Sequence, residues 1–175
     1  MIKRNNPGNI TKSKNKWIGE ITGDSSRFVT FDSLPYGYRA MIKLLQVYIK
    51  RGTNSIRKII NVYAPPSENP TENYIQFVSK KLNIDPDTII LHNDLNTLAN
   101  LVLAMSIFEH GLKAPEIEQM KNHVTDSIQL ILTGSNVQGN TSGTTKPESS
   151  QGGRKLIWIE FFAVALILAL LNHKN

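Results

Sequence analysis

The sequence predicts a mainly α-helical domain with one small β-hairpin, joined by a flexible linker to a single C-terminal transmembrane helix. Three observations carry that prediction. Apolar residues recur at helical spacing between positions 38 and 132, a run rich in Gly, Ser, Thr and Asn follows, and a nearly uninterrupted apolar stretch comes after it. The expected divisions are residues 1–132 for the soluble domain, 133–153 for the linker and 154–175 for the anchor. A chain of 175 residues accommodates one ordinary core plus such accessory segments.

The hairpin is expected first. Trp17–Ile21 and Arg27–Phe31 are β-prone runs separated by Thr22-Gly23-Asp24-Ser25-Ser26, which makes a five-residue loop. Helices follow. From Tyr38 to Arg51 the apolar positions keep helical spacing, and Gly52 stands where a C-terminal cap belongs. Ile56–Tyr63 forms a shorter helix that Ala64-Pro65-Pro66 stops, because proline disfavours helical geometry at the residue before it. Pro70-Thr71-Glu72 opens the next, carrying Tyr74, Ile75, Phe77, Val78 and Leu82. Asp94 is the N-cap expected for Leu95–Glu109, and Pro115 opens a last helix through Leu132.

Beyond that helix the polar run from Thr133 to Gly153 has almost nothing to bury and cannot offset its own ordering entropy. Leu156–Leu171 is apolar apart from Glu160; at 1.5 Å rise it covers roughly 24 Å, slightly less than a hydrocarbon core of about 30 Å. Arg154-Lys155 before it, His173-Lys174 after it and Trp158 near the first boundary suit membrane interfaces. The lack of a polar face favours spanning over an interfacial or core helix.

Composition excludes several chemistries. With no cysteine there is no disulfide, thiolate nucleophile or zinc-thiolate site. His92, His110, His123 and His173 are too dispersed for a metal-ligand motif, so neither metal nor cofactor is expected. The net charge of +6 suits an anionic partner, but the basic residues are scattered singly or in pairs rather than as a stripe, and nucleic acid is not expected. Met1 to Ile10 is polar, without the apolar stretch of a cleavable secretory signal.

Glu109 is the outstanding polar residue. Leu98, Val102 and Met105 mark an apolar stripe at i, i+4 and i+7, and Glu109 continues it at i+11. Placed in the last turn, it meets the negative end of the helix dipole, and burial and dipole together disfavour carboxylate charge. That is the condition a general acid requires. A terminal-turn glutamate rotated to solvent, or paired with Lys113, satisfies the same pattern. Arg4-Asn5-Asn6-Pro7-Gly8-Asn9-Ile10 is a rigid, amide-rich turn suited to sugar hydroxyls and N-acetyl groups, or simply a turn. The loop from Ala64 to Tyr74 is a second polar approach to a helix, with Tyr74 offering a phenolic donor.

The joint order of several motifs adds a resemblance. Arg4-Asn5-Asn6-Pro7-Gly8-Asn9-Ile10, Trp17-Ile18-Gly19, Phe28-x-x-Phe31-Asp32-Ser33, Gly37-x-Arg39-Ala40 and Tyr63-Ala64-Pro65-x-x-Glu68-Asn69-x-x-x-x-Tyr74-Ile75-x-x-Val78 resemble a family of phage and prophage virion proteins. That family is similar to lysozyme-like peptidoglycan hydrolases, and the likeness spans about Arg4 to Gly111. Asn6-Pro7-Gly8-Asn9-Ile10 resembles the first glycan-holding loop of lytic transglycosylases, Tyr63-Ala64-Pro65 with Asn69 the second, and Tyr74-x-x-x-Val78 the helix that follows. The glutamate helix, ending Glu109-His110-Gly111, would come last, as in a circularly permuted lysozyme fold.

The resemblance implies a virion-associated glycosidase of lytic transglycosylase or lysozyme type, with peptidoglycan glycan strands as substrate. Glu109 would be the proton donor and Glu20, or Asp24, a second acid if one is needed; Asn6, Gly8, Asn9, Tyr63, Asn69 and Tyr74 would bind substrate. Residues 156–171 would hold it in a virion membrane or the host cell envelope, with other virion proteins as further partners. Two departures, His110 in place of Ser or Asn and a second loop shortened to Tyr-Ala-Pro, keep open a catalytically inactive phage structural or wall-binding membrane protein.

Overall fold

The structure, a computed structural model, describes residues 2–23, 25–67 and 70–134. The elements run β1 (Glu20–Ile21), β2 (Thr30–Phe31), α1 (Leu34–Lys50), α2 (Ile56–Tyr63), α3 (Thr71–Leu82), α4 (Leu95–His110) and α5 (Ala114–Thr133), preceded by a 3-10 turn at Lys3–Asn5. The described part is thus mainly helical with a small two-stranded sheet.

α4 is the central helix. It packs on α1, α3 and α5, while α1 packs chiefly on α5. The stripe Leu98, Val102 and Met105 is fully buried, but Leu101, Ala104, Ser106 and Ile107 are buried as well, so α4 is enclosed on most sides. Tyr38, Met41, Ile42 and Leu45 of α1 and Tyr74, Ile75 and Val78 of α3 meet it in one core. Inside that core the Tyr38 hydroxyl lies 2.9 Å from Ser106 Oγ, and Ser106 donates to the Leu103 carbonyl at 3.0 Å. Burial pushes the Tyr38 phenol up to about 12, with the Ser106 hydrogen bond pulling the other way.

Local signals set the helix ends. Asp94 accepts from the Thr97 backbone N–H at 3.0 Å and its hydroxyl at 2.6 Å, and Gly111 ends α4 in the left-handed region at φ 58. Ser55 caps α2, and the Glu116 carboxylate reaches back to the Lys113 N–H at 3.0 Å to fix the start of α5. α1 begins four residues earlier than its apolar spacing suggests. Ser33 is extended at the N-cap and Pro35 sits in the first turn, where its missing N–H costs nothing.

The hairpin is much shorter than expected, pairing only Glu20 with Phe31 and Ile21 with Thr30. Trp17–Gly19 is instead drawn into a turn, with the Trp17 N–H held by the Glu20 carboxylate at 3.0 Å and Gly19 at φ 79. The Arg27–Val29 segment takes another partner: Lys12 N–H donates to Arg27 O at 2.8 Å and Val29 N–H to Ile10 O at 2.9 Å. A strand's backbone edge can serve only one neighbour, and here the N-terminal segment occupies it.

Among the described residues no helix is long and apolar enough to cross a membrane. The expected membrane helix at 156–171, nearly all of the expected linker, and Asp24, Glu68 and Asn69 lie outside the described residues.

Candidate functional site

Four consecutive residues of the N-terminal turn are each tied to a different part of the fold. Asn6 is buried, with 2% of its surface exposed; its amide donates to Ile10 O and Val29 O and its Oδ1 accepts from Ile10 N–H, all at 2.9 Å. The Pro7 carbonyl lies 3.1 Å from His110 Nε2. A carbonyl oxygen only accepts, so Nε2 is the donor in this contact. Gly8 O accepts from the Tyr63 hydroxyl at the end of α2. Asn9 Nδ2 reaches Glu109 Oε2 at 3.1 Å, across 100 residues of sequence.

Glycine is required in that turn. A Cβ on Gly8 would stand 2.8 Å from Tyr63 Oη and 3.1 Å from Met41 Sδ. Asn9 adopts φ 47, a left-handed conformation that asparagine tolerates better than most residues with a side chain.

Beside the turn opens a groove of about 700 Å³, within the usual size of ligand sites. Gly8, Asn9, Tyr63 and Glu109 line it, and Glu109 is the one carboxylate among the described lining residues. Glu109 is half-buried and held by Asn9, rather than turned freely to solvent. The Tyr63 hydroxyl is pushed far above an ordinary phenol by burial first, then by the charge of Glu109. It therefore stays protonated and remains a donor.

The structure corrects three expected placements. Tyr74 is 2% exposed, stacks on Phe108 at 4.0 Å between ring centres, and stands behind the groove rather than lining it. Its hydroxyl donates to Met105 O at 3.3 Å; burial, then the charge of Glu109, raises its phenol well above the ordinary value. Tyr74 thus supports Glu109 from the core side. Asn6 points inward and does not line the groove; both amide hydrogens are spent on the backbone, so it holds the turn. Glu20 does not line the groove; it accepts from the Trp17 N–H. Gly8 contributes closeness of approach, and Asn69 is outside the described residues.

The groove also contains residues that sequence reasoning did not assign to it. Trp17, Phe28 and Tyr48 supply aromatic surface, and exposed Arg27 lies with its guanidinium carbon 4.7 Å from the Phe28 ring centre. An indole and a phenyl ring just outside a hairpin whose strands pair only two residues each were the available signal. Among the described residues no three His, Asp or Glu side chains come together as metal ligands would.

No family model matches the sequence. A curated relative does: Protein P5 of Pseudoalteromonas phage PM2 is 34% identical over 125 residues, which cover 69% of this chain and 76% of that protein. The chain belongs to the family of phage Protein P5. The motif order led to an expectation of phage and prophage virion proteins, and this relative is a phage protein; the site described above is the groove of a Protein P5 relative.

Proposed function

We propose that this chain is a virion-associated, peptidoglycan-cleaving glycosidase of lytic transglycosylase or lysozyme type, tethered to a membrane through residues 156–171. The observation that carries the reading is Glu109, a half-buried carboxyl group at the end of the central helix, facing a groove walled by aromatic rings and fixed there by Asn9. Protonated Glu109 gives its proton to the glycosidic oxygen as the bond from C1 to that oxygen breaks. In a lytic transglycosylase the sugar's own 6-hydroxyl then attacks C1 and returns a proton to the carboxylate, leaving a 1,6-anhydro end. One protein carboxylate suffices for this cycle, in keeping with the lone carboxylate among the described lining residues.

Asn9 suits both halves of that cycle. A side-chain amide donates to an ionised carboxylate and, rotated by half a turn, accepts from a protonated one. Tyr63 and Tyr74 remain neutral throughout, so neither competes with Glu109 as the acid.

The test is incubation of the full-length protein, in detergent, with purified peptidoglycan beside its Glu109→Gln variant. Wild type is expected to release soluble fragments carrying 1,6-anhydro ends, and the variant to be slower by about 10²-fold or more. Equal release by both would remove Glu109 from the chemistry. One observation favours a second reading, a catalytically inactive phage structural or wall-binding protein: Asn6 and the Tyr63 hydroxyl are spent on the scaffold, leaving few polar groups for substrate. Retention on the wall without soluble fragments would support it.

A further inference from the structure

Next to the groove lies a smaller cavity of about 340 Å³ lined by Lys3, Arg4, Asn6, Asn9, Phe28 and His110. Asn9 and Phe28 line the groove as well, so the two spaces share a wall, and that wall contains the residue holding Glu109. The cavity's charge is one-sided. Two cationic side chains and an imidazole line it, and no carboxylate does among the described residues. His110 is oriented by its Nε2 contact to the Pro7 carbonyl, and Lys3 and Arg4 are exposed. A concave site with one sign of charge favours an anion.

We propose that this cavity binds a carboxylate of the peptide stem that substitutes one sugar of the glycan. The inference rests on the peptidoglycan reading above and adds a second point of recognition to it. In that polymer the lactyl-linked peptides, with their free carboxylates, hang from alternate sugars, so a stem always lies close to a scissile bond. A cationic cavity sharing Asn9 with the reacting carboxyl group is where such a stem would fall. The subsite would set which register of the strand presents a bond to Glu109.

Arg4 offers a well-behaved variant. Its backbone sits at φ 59, which asparagine accepts more readily than arginine, so Arg4→Asn removes the charge without opposing the local fold. Combined with Lys3→Gln in the full-length chain, on a Glu109→Gln background that stops turnover, it is compared with the Glu109→Gln parent by calorimetric titration. The ligands are soluble glycan oligomers with intact stems and the same oligomers stripped of stems by an amidase; circular dichroism confirms equal folding.

The parent is expected to bind stem-bearing oligomers about fivefold more tightly than stripped ones, and the charge variant to lose most of that preference while keeping its affinity for stripped glycan. Raising salt is expected to erode the same preference. A preference that survives both changes overturns the subsite, as does equal binding of the two oligomers by the parent. Absence of any glycan binding overturns this inference, whereas fragment release that Glu109→Gln leaves intact overturns only the assignment of Glu109.

Discussion

Gly8→Ala is the most discriminating change that the turn allows. The added methyl would stand 2.8 Å from Tyr63 Oη and 3.1 and 3.2 Å from Met41 Sδ and Cγ. Met41 is flexible and can yield. Tyr63 cannot yield without releasing the Gly8 carbonyl, to which its hydroxyl is bonded. Overpacking costs about 1–3 kcal/mol, and a buried hydroxyl left without its partner costs about 1–3 kcal/mol. Since one movement relieves the first at the expense of the second, the sum is held to about 2–4 kcal/mol, a large part of an ordinary domain's stability.

The assay is urea unfolding of wild type, Gly8→Ala, Tyr63→Phe and the double variant, followed by tryptophan fluorescence. Tyr63→Phe alone forfeits one hydrogen bond, about 1 kcal/mol. In the double variant the oxygen that met the methyl is gone, so its loss should be smaller than the sum of the two singles by about 1 kcal/mol or more. Strict additivity, or a Gly8→Ala cost below about 0.5 kcal/mol, would refute the claim that the turn and the end of α2 are locked through this contact.

Other expectations follow from the same structure. Asn6→Ala removes three buried hydrogen bonds to the backbone and should destabilise by about 2–4 kcal/mol, read as a lower urea midpoint at unchanged slope. Asp94→Ala should cost about 1 kcal/mol at neutral pH through loss of the α4 cap. The Thr97 hydroxyl and backbone N–H hold the Asp94 carboxyl below its ordinary value, so its contribution is present above the ordinary carboxylate range and lost as pH falls through the lower folded value; wild type and variant should converge in acid. Tyr38 has the opposite sign. Its folded value of about 12 exceeds the unfolded value near 10, so the stability tied to its neutral form is full below about pH 10 and is lost as pH rises toward 12; phenolate absorbance from Tyr38 should appear together with unfolding.

Helix positions were legible because their signals are local. Asp94, Pro115 and the Ala64-Pro65-Pro66 stop act within a turn of the residues they govern, and α2 and α3 fall at the expected residues. The apolar spacing that marks α1 begins only at Tyr38, and the expected helix leaves out Gly37. In the fold it lies in the first turn, where a Cβ would collide with the Asn5 carbonyl and stand 2.6 Å from Pro7 Cδ, so glycine serves close packing there.

The hairpin and the turn were harder to read for one shared reason. Whether Phe28 pairs with residues 17–21 or with Thr11 is decided by long-range contact, and the sequence shows only that both runs suit strands. An asparagine-rich turn likewise looks the same with its amides inward or outward; burial turned Asn6 in and left Asn9 exposed beside Glu109. Glu109 stood out because a carboxyl group on an apolar stripe is a local anomaly. Its partner, 100 residues away, left no local trace.

That separation bears on when the groove can exist during synthesis. Residues 7–9 leave the ribosome long before α4 does, and until Tyr63, Glu109 and His110 arrive the groups that bond them have only water to meet. A nascent chain without α4 therefore carries one jaw of the site and not the other, and contacts of such long range are the slow ones to form. A product that ends before Glu109 leaves Asn9 with no carboxylate to hold, and the groove takes its shape only when the last-made jaw shuts upon the first.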